Sequence, residues 1–215
     1  MLKIIAAILM TVDHIGLIWF PQILLLRGIG RIAMPLYAFM VARACKVTAK
    51  HESGKRYGMS LAVMTVTAQL PRTLMAGTRL INIGASWFCG FLLINLFERQ
   101  NQFRWPAVVA TGILICTGCL EYDFLAIGYV VLFYATRIKR TESAACFLGA
   151  GLLNLLYLQA GGWPIEFFSI LALPLIDLAN RYELQWQSKR ETLRYFWYVY
   201  YPTHMYVLTI LKTIL

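Results

Sequence analysis

Apolar runs long enough to cross a bilayer recur along this chain with little polar sequence between them. No other feature restricts its fold as strongly. A spanning helix needs about 20 mostly apolar residues, with about 17 as a lower limit. Nine segments approach that length: 4–20, 22–45, 57–75, 80–97, 105–120, 123–137, 143–160, 164–180 and 195–215. Of the 215 residues 60% are hydrophobic and 14% charged, whereas soluble domains carry roughly 45–50% apolar and about 25% charged residues. The expected fold is therefore all-α. It is a polytopic membrane protein of about nine transmembrane helices, with one domain over residues 1–215 and the lipid bilayer as its constant partner. The first run is a poor secretory leader, because it lacks a small-x-small cleavage site and further apolar runs follow it.

The net charge of +10 would suggest nucleic acid in a soluble protein. Here the basic residues lie in short gaps between apolar runs, so no nucleic-acid partner is expected. The gaps 46–56, 98–104, 137–142 and 181–194 carry Lys and Arg, and they alternate with the poorly basic gaps 20–23, 121–123 and 160–164. Only 72–79, with Arg72 and Arg79, breaks the alternation. Short basic loops stay in the cytoplasm. That rule places the N-terminus in the cytoplasm and the C-terminus outside, as expected for a multi-pass membrane protein. Cys116 and Cys119 form a CxxC without a second ligand pair. We read all five cysteines as small packing residues and expect neither a metal nor a structural disulfide.

The run TVDHIGLIWF at 11–20 places an acid and an imidazole side by side in apolar sequence. His14 is about eleven residues into the first segment, or roughly 16 Å deep, and Arg31 and His204 lie roughly 13 Å into theirs at 1.5 Å per residue. All three thus fall near the midplane of a hydrocarbon core about 30 Å thick. Ionisable groups at that depth face a cavity or one another. Arg27 and Arg31 are four residues apart and share a helix face. The very short loop at 20–23 makes the first two segments antiparallel neighbours, which brings that face toward Asp13 and His14.

One reading of this set is a packing network, with Asp13 on Arg31 and His14 on a carbonyl. Another is a proton or ion path. A third is chemistry, since His suits proton removal near neutral pH. Adjacent helical residues point about 100° apart, so Asp13 and His14 cannot both address one substrate atom. We assign His14 as the base and Asp13 as the partner of an Arg. Arg27 and Arg31 are the expected holders of an anionic group such as coenzyme phosphates, and His204 is a second catalytic candidate. Pro202, two residues before His204, is expected to kink the last helix. Tyr122, between Glu121 and Asp123, is expected to line an acceptor entrance, with Gln69 and Asn82 also on the acceptor side. Asn82, Asn95 and Asn154 read as interhelical links. Glu166 reads equally as solvated or functional, and His51 as solvated. No HExxH, GxSxG or phosphate-cradling Gly loop occurs.

Together these residues resemble the TraX family of integral membrane proteins. The resemblance rests on LK…MTVDHIGLI at 2–18, RIAMPLYAF at 31–39, AQLP at 68–71, IN at 81–82, EYDFLAIGYVVL at 121–132 and FWYVYYPTH at 196–204. The DHI and RxxxP elements are its most specific parts. Relatives carry Cys or an aliphatic residue before the final His, where this chain has Thr203. The family's founding member is associated with conjugative plasmids and acetylates the N-terminus of pilin. The family looks like a compact branch of the transmembrane acyltransferases, which often show a basic residue, ten residues, then His, as Lys3 and His14 do here. The resemblance implies transfer of an acetyl group from acetyl-CoA, without a metal. The acceptor would be an amine or hydroxyl of a protein or glycan on the outer side, pilin being one option. The competing reading is a small proton-coupled transporter or a pilus-assembly factor without chemistry.

Overall fold

A computed structural model describes residues 2–48, 51–136, 144–183 and 192–214. The basic gap 137–142 and most of the gap 181–194 lie outside the described residues. Ten α-helices are seen: α1 (Leu2–Trp19), α2 (Leu24–Arg31), α3 (Ala33–Thr48), α4 (Ser53–Ala76), α5 (Ile83–Glu98), α6 (Arg104–Cys116), α7 (Asp123–Ala135), α8 (Ala144–Gln159), α9 (Ala172–Glu183) and α10 (Thr192–Ile214). A 3-10 helix, Pro164–Leu171, runs directly into α9. Among the described residues the only β pairing is one isolated parallel bridge, Ile81 to Leu120. The all-α expectation therefore holds, and the helices fall on the nine apolar segments.

Among the described residues two helical units are long and apolar enough to cross a membrane, Leu2–Trp19 and Leu24–Thr48. Helices α5 to α8 are apolar but have 16, 13, 13 and 16 residues, or roughly 20–24 Å each at 1.5 Å per residue.

The segment expected as one helix over 22–45 breaks at Ile32. Pro35 is the cause. It has no N–H for the Arg31 carbonyl four residues back, and its ring crowds that carbonyl. Ile32 instead bonds the Ile29 carbonyl at 3.3 Å, a tighter turn. The RxxxP element thus interrupts the regular helical hydrogen bonding just after Arg31.

Helix α3 is central. It packs against α1, α2, α4, α5, α7 and α9 and against the 3-10 helix. Its Leu36, Ala38, Ala42 and Cys45 are wholly buried, and Phe39 meets Phe133 of α7 edge-on. The outer helices bury their small and polar residues and expose their large apolar ones. On α8 the residues Cys146, Ala150 and Asn154 face inward, while Leu148 and Leu152 are 73% and 57% exposed. On α4 Val66 is 75% exposed and Ala68 is buried. Exposed apolar surface of this extent is unusual for a soluble monomer. Small residues at helix contacts with large apolar residues facing out is the pattern of lipid-embedded helices.

The non-helical stretches around residues 77–82 and 117–122 satisfy one another. Ile81 donates to the Cys119 carbonyl at 2.8 Å, and Glu121 donates to the Ile81 carbonyl at 2.9 Å. Gln69 of α4 accepts from the backbone N–H and the side-chain amide of Asn82, both at 2.9 Å, and donates to the Leu80 carbonyl. Asn82 caps α5 by accepting from the Gly84 N–H at 3.0 Å. Backbone polar groups held this completely can lie at membrane depth.

Candidate functional site

The consecutive residues Asp13 and His14 point to different neighbours, as a helical turn requires. Asp13 faces α2 and His14 faces α10. Both are buried, at 7% and 8% exposure.

The close approach of α2 is made by Gly30, where a Cβ would fall within 2.6 Å of Asp13 Oδ1. Arg27 Nη1 reaches Asp13 Oδ1 at 2.9 Å and donates to the Asp13 carbonyl at 3.0 Å. Arg31 Nη2 stands 3.8 Å from Asp13 Oδ1, and Arg31 Nε stands 3.2 Å from Glu166 Oε1. Arg31 also donates to the Tyr122 hydroxyl, and its guanidinium lies over the rings of Tyr122 and Trp163. Tyr122 and Asp123 take left-handed backbone angles, φ 63° and 49°. Residues other than Gly hold such angles at a cost of about 1–3 kcal/mol each, and they persist where the surroundings enforce them. The Arg31 contact holds Tyr122 in that turn.

His14 Nδ1 lies 2.9 Å from His204 Nε2. The ring planes differ by 6° with centroids 5.1 Å apart. At that nitrogen separation the rings lie nearly in one plane, edge to edge, which is the alignment of an N–H···N bond. His204 Nδ1 is 2.9 Å from the Tyr200 carbonyl, which can only accept. His204 therefore carries its proton on Nδ1 and accepts through Nε2. His14 must then donate from Nδ1, which leaves its Nε2 with a lone pair. The two rings assign each other's tautomers without a carboxylate. The Tyr200 ring stacks on His204 at 11°, and its hydroxyl pairs with Thr11 at 2.8 Å. Thr203 is exposed and stands outside this arrangement.

Asp13 and His14 line a small cavity with Tyr37, Trp87, Glu121, Tyr122 and Tyr201 among their neighbours. Its volume is about 30 Å³, and a water needs roughly 10–15 Å³ of such space. The cavity thus admits the tip of a substrate, not the body of one.

Several expectations are corrected here. Arg72 is not a loop residue: it lies inside α4, buried, and makes a two-pronged pair with Glu121 at 2.8 and 3.1 Å. The apparent exception in the basic gaps is therefore half of an internal ion pair. Glu166 is not solvated: it is 3% exposed and braces Arg31. Gln69 and Asn82 are engaged with the backbone of the loops and with each other, and the structure does not bring them to the cavity. Arg27 and Arg31 stand behind Asp13 rather than on the cavity wall, with their charges met by Asp13 and Glu166. The cluster holds three guanidiniums, Arg27, Arg31 and Arg72, and three carboxylates, Asp13, Glu121 and Glu166, with Arg27 and Glu121 half-buried.

Arg72, Glu121 and Glu166 are drawn in from α4, the 117–122 loop and the 3-10 helix. The available signal was their isolation: each is a charge at the edge of an apolar segment. Asn154 makes the expected interhelical links, to Tyr129 at 2.9 Å and Ser169 at 3.2 Å. All five cysteines are free thiols. Among the described residues no group of three or more His, Cys, Asp or Glu gathers as metal ligands would.

Comparison with known proteins agrees with this architecture of motifs. A curated relative, an uncharacterised protein of Rickettsia prowazekii (strain Madrid E), is 27% identical over 184 residues, which cover 82% of this chain and 68% of that protein. No solved structure matches. The family model described as TraX protein matches residues 1–212, and this chain belongs to the TraX family.

Proposed function

We propose that the protein is an integral membrane acyltransferase. It moves an acetyl group from cytoplasmic acetyl-CoA to an amine or hydroxyl on the outer side, on a protein such as pilin or on a glycan. The observation that carries this reading is the coplanar His14–His204 pair, which leaves an unprotonated Nε2 on a residue of the cavity wall. A packing network needs only satisfied polar groups. This pair instead presents a base whose tautomer is fixed by its partner.

The proposed reaction runs through the following steps. His14 Nε2 removes a proton from the acceptor as its nitrogen or oxygen attacks the thioester carbonyl. The bond from His14 Nδ1–H to His204 Nε2 strengthens as His14 becomes an imidazolium, and part of the charge passes to His204. The new N–C or O–C bond forms, the C–S bond breaks, and the coenzyme leaves as a thiolate that takes up a proton. Transfer in one step needs no acetyl-His intermediate, although Nε2 is also the atom that would form one.

Arg27 and Arg31 serve this site as supports: they orient Asp13, Glu166 and Tyr122 around it. The phosphates of acetyl-CoA fall instead to cytoplasmic loop cations such as Lys46, Lys55, Arg56, Arg99 and Arg104. The coenzyme body stays with those loops while its acetyl end enters the cavity. The short helices α5 to α8 reach across the bilayer together with the paired stretches at 77–82 and 117–122. The protein is then a multi-pass protein of a bacterial inner membrane.

The test is direct. Purified protein in nanodiscs is expected to be stabilised on heating by acetyl-CoA and to release free thiol when a peptide amine is added. Both responses absent, over millimolar coenzyme and a panel of amine and hydroxyl acceptors, would refute acyl transfer and favour the transporter reading of the same buried charges.

A further inference from the structure

Trp87 lies within the first half of α5 and belongs to the wall of the cavity. It is 2% exposed. Its ring is wedged between Tyr37, with centroids 5.0 Å apart, and Tyr201, with centroids 6.1 Å apart. Tyr201 in turn lies against His204 at 5.9 Å, and His204 bonds His14. A continuous chain of rings thus carries Trp87 to the catalytic pair. The indole Nε1–H is buried and meets no acceptor in the protein. Indole nitrogen is a donor only, and a buried donor left unmet costs about 1–3 kcal/mol. Such a group in a native site calls for a reason, either a role in chemistry or a bound water.

We propose that Trp87 Nε1–H is the donor that receives the thioester carbonyl oxygen as it becomes negative. The proposal rests on the acyl-transfer reading above. When the acceptor attacks, the carbonyl π electrons move onto oxygen. They return as the C–S bond breaks, so the donor is needed only while that charge exists. Trp87 suits this task in two ways. Its ring is fixed by Tyr37 and Tyr201, so it does not reorganise during the reaction. It is also neutral, so it does not disturb the balanced charges of Asp13, Arg27, Arg31, Arg72, Glu121 and Glu166. A preorganised donor of this kind acts in the transition state more than in the ground state.

Two replacements of Trp87 separate the N–H from the ring. Trp87→Phe keeps an aromatic ring and removes the donor. Benzothienylalanine at the same position keeps the two-ring shape and exchanges N–H for sulfur. Steady-state acetyl transfer is measured with the full-length protein in nanodiscs, and coenzyme affinity by thermal shift. The expected result in both variants is a fall in kcat of about a hundredfold, the scale of losing one such donor. KM for acetyl-CoA and the unfolding temperature of the isosteric variant stay unchanged. An isosteric variant with wild-type kcat, or one that loses KM and kcat together, overturns the proposal and assigns the N–H to a structural water. Wild-type protein that neither binds acetyl-CoA nor releases thiol refutes the acyl-transfer reading itself, and that result is distinct from either outcome at Trp87.

Discussion

Gly30→Ala tests whether the seating of α2 on α1 sets the site. The added Cβ would overlap Asp13 Cβ, the nearest atom, and would also stand 2.6 Å from Asp13 Oδ1 and 2.7 Å from Asp13 Cγ, where ordinary contact begins at 3.4 Å. Turning the carboxylate does not move Asp13 Cβ, so the two helices must part. That separation lengthens the Arg27–Asp13 ion pair, now at 2.9 Å, and breaks the bond that Arg27 donates to the Asp13 carbonyl, now at 3.0 Å. Overpacking of this kind costs about 1–3 kcal/mol, and loss of a charged hydrogen bond about 1.5–3 kcal/mol. Together they predict about 3 kcal/mol of destabilisation, or roughly 6–12 °C in Tm for a chain of this size. The same substitution at Gly112 of α6 and Gly151 of α8, where a Cβ meets nothing within 4 Å, is expected to stabilise by about 1 kcal/mol through helix propensity. Thermal unfolding in one detergent gives all three values, and acetyl transfer by Gly30→Ala is expected to fall further than its stability. If Gly30→Ala melts with the two controls, the account of this helix crossing is wrong.

His14→Ala is expected to reduce acetyl transfer by about a thousandfold, within the range for loss of a general base, and to cost about 1–3 kcal/mol of stability as His204 loses its buried partner. His204→Ala should reduce it less, because His14 keeps its lone pair but loses its fixed tautomer. The base must be unprotonated, so the transfer rate should fall as pH drops and level off as pH rises; a rate that rises in acid would contradict the assignment. Glu121→Leu leaves Arg72 buried and unpaired and should destabilise by about 3–5 kcal/mol. The double variant Arg72→Met with Glu121→Leu should recover most of that loss in a thermal-melt cycle. Pro35→Ala should let α2 run straight into α3, raise the unfolding temperature, and lower activity as Arg31 leaves Glu166.

Much of the helical layout was legible because each apolar run ends at basic or turn-forming sequence. The bounds of α4, α5, α7 and α8 lie within a few residues of the segments read from hydropathy. The break at Ile32 was not read, although its cause, Pro35, stood in plain view. A Pro near the start of an apolar run can cap a new helix or bend an old one, and only packing decides. The grouping of Asp13, His14, Arg27, Arg31 and His204 was legible from depth alone, because few ionisable residues share one level in apolar sequence. The partners of those residues were not. Arg72 and Glu121 are 49 residues apart, and each has a plausible solvated reading on its own. Trp87 gave no signal, since a Trp in an apolar helix is ordinary and its unmet N–H exists only in three dimensions.

The balanced cluster has an electrical consequence. A membrane potential does about 2.3 kcal/mol of work per elementary charge moved through 100 mV. With all six ionised, three guanidiniums and three carboxylates carry no net charge, so in the proposed bilayer setting the field exerts no net force on them as a block. Acetyl transfer should then run at the same rate in energised and de-energised vesicles. A machine that moves protons through the same residues would slow or stall when the potential is collapsed.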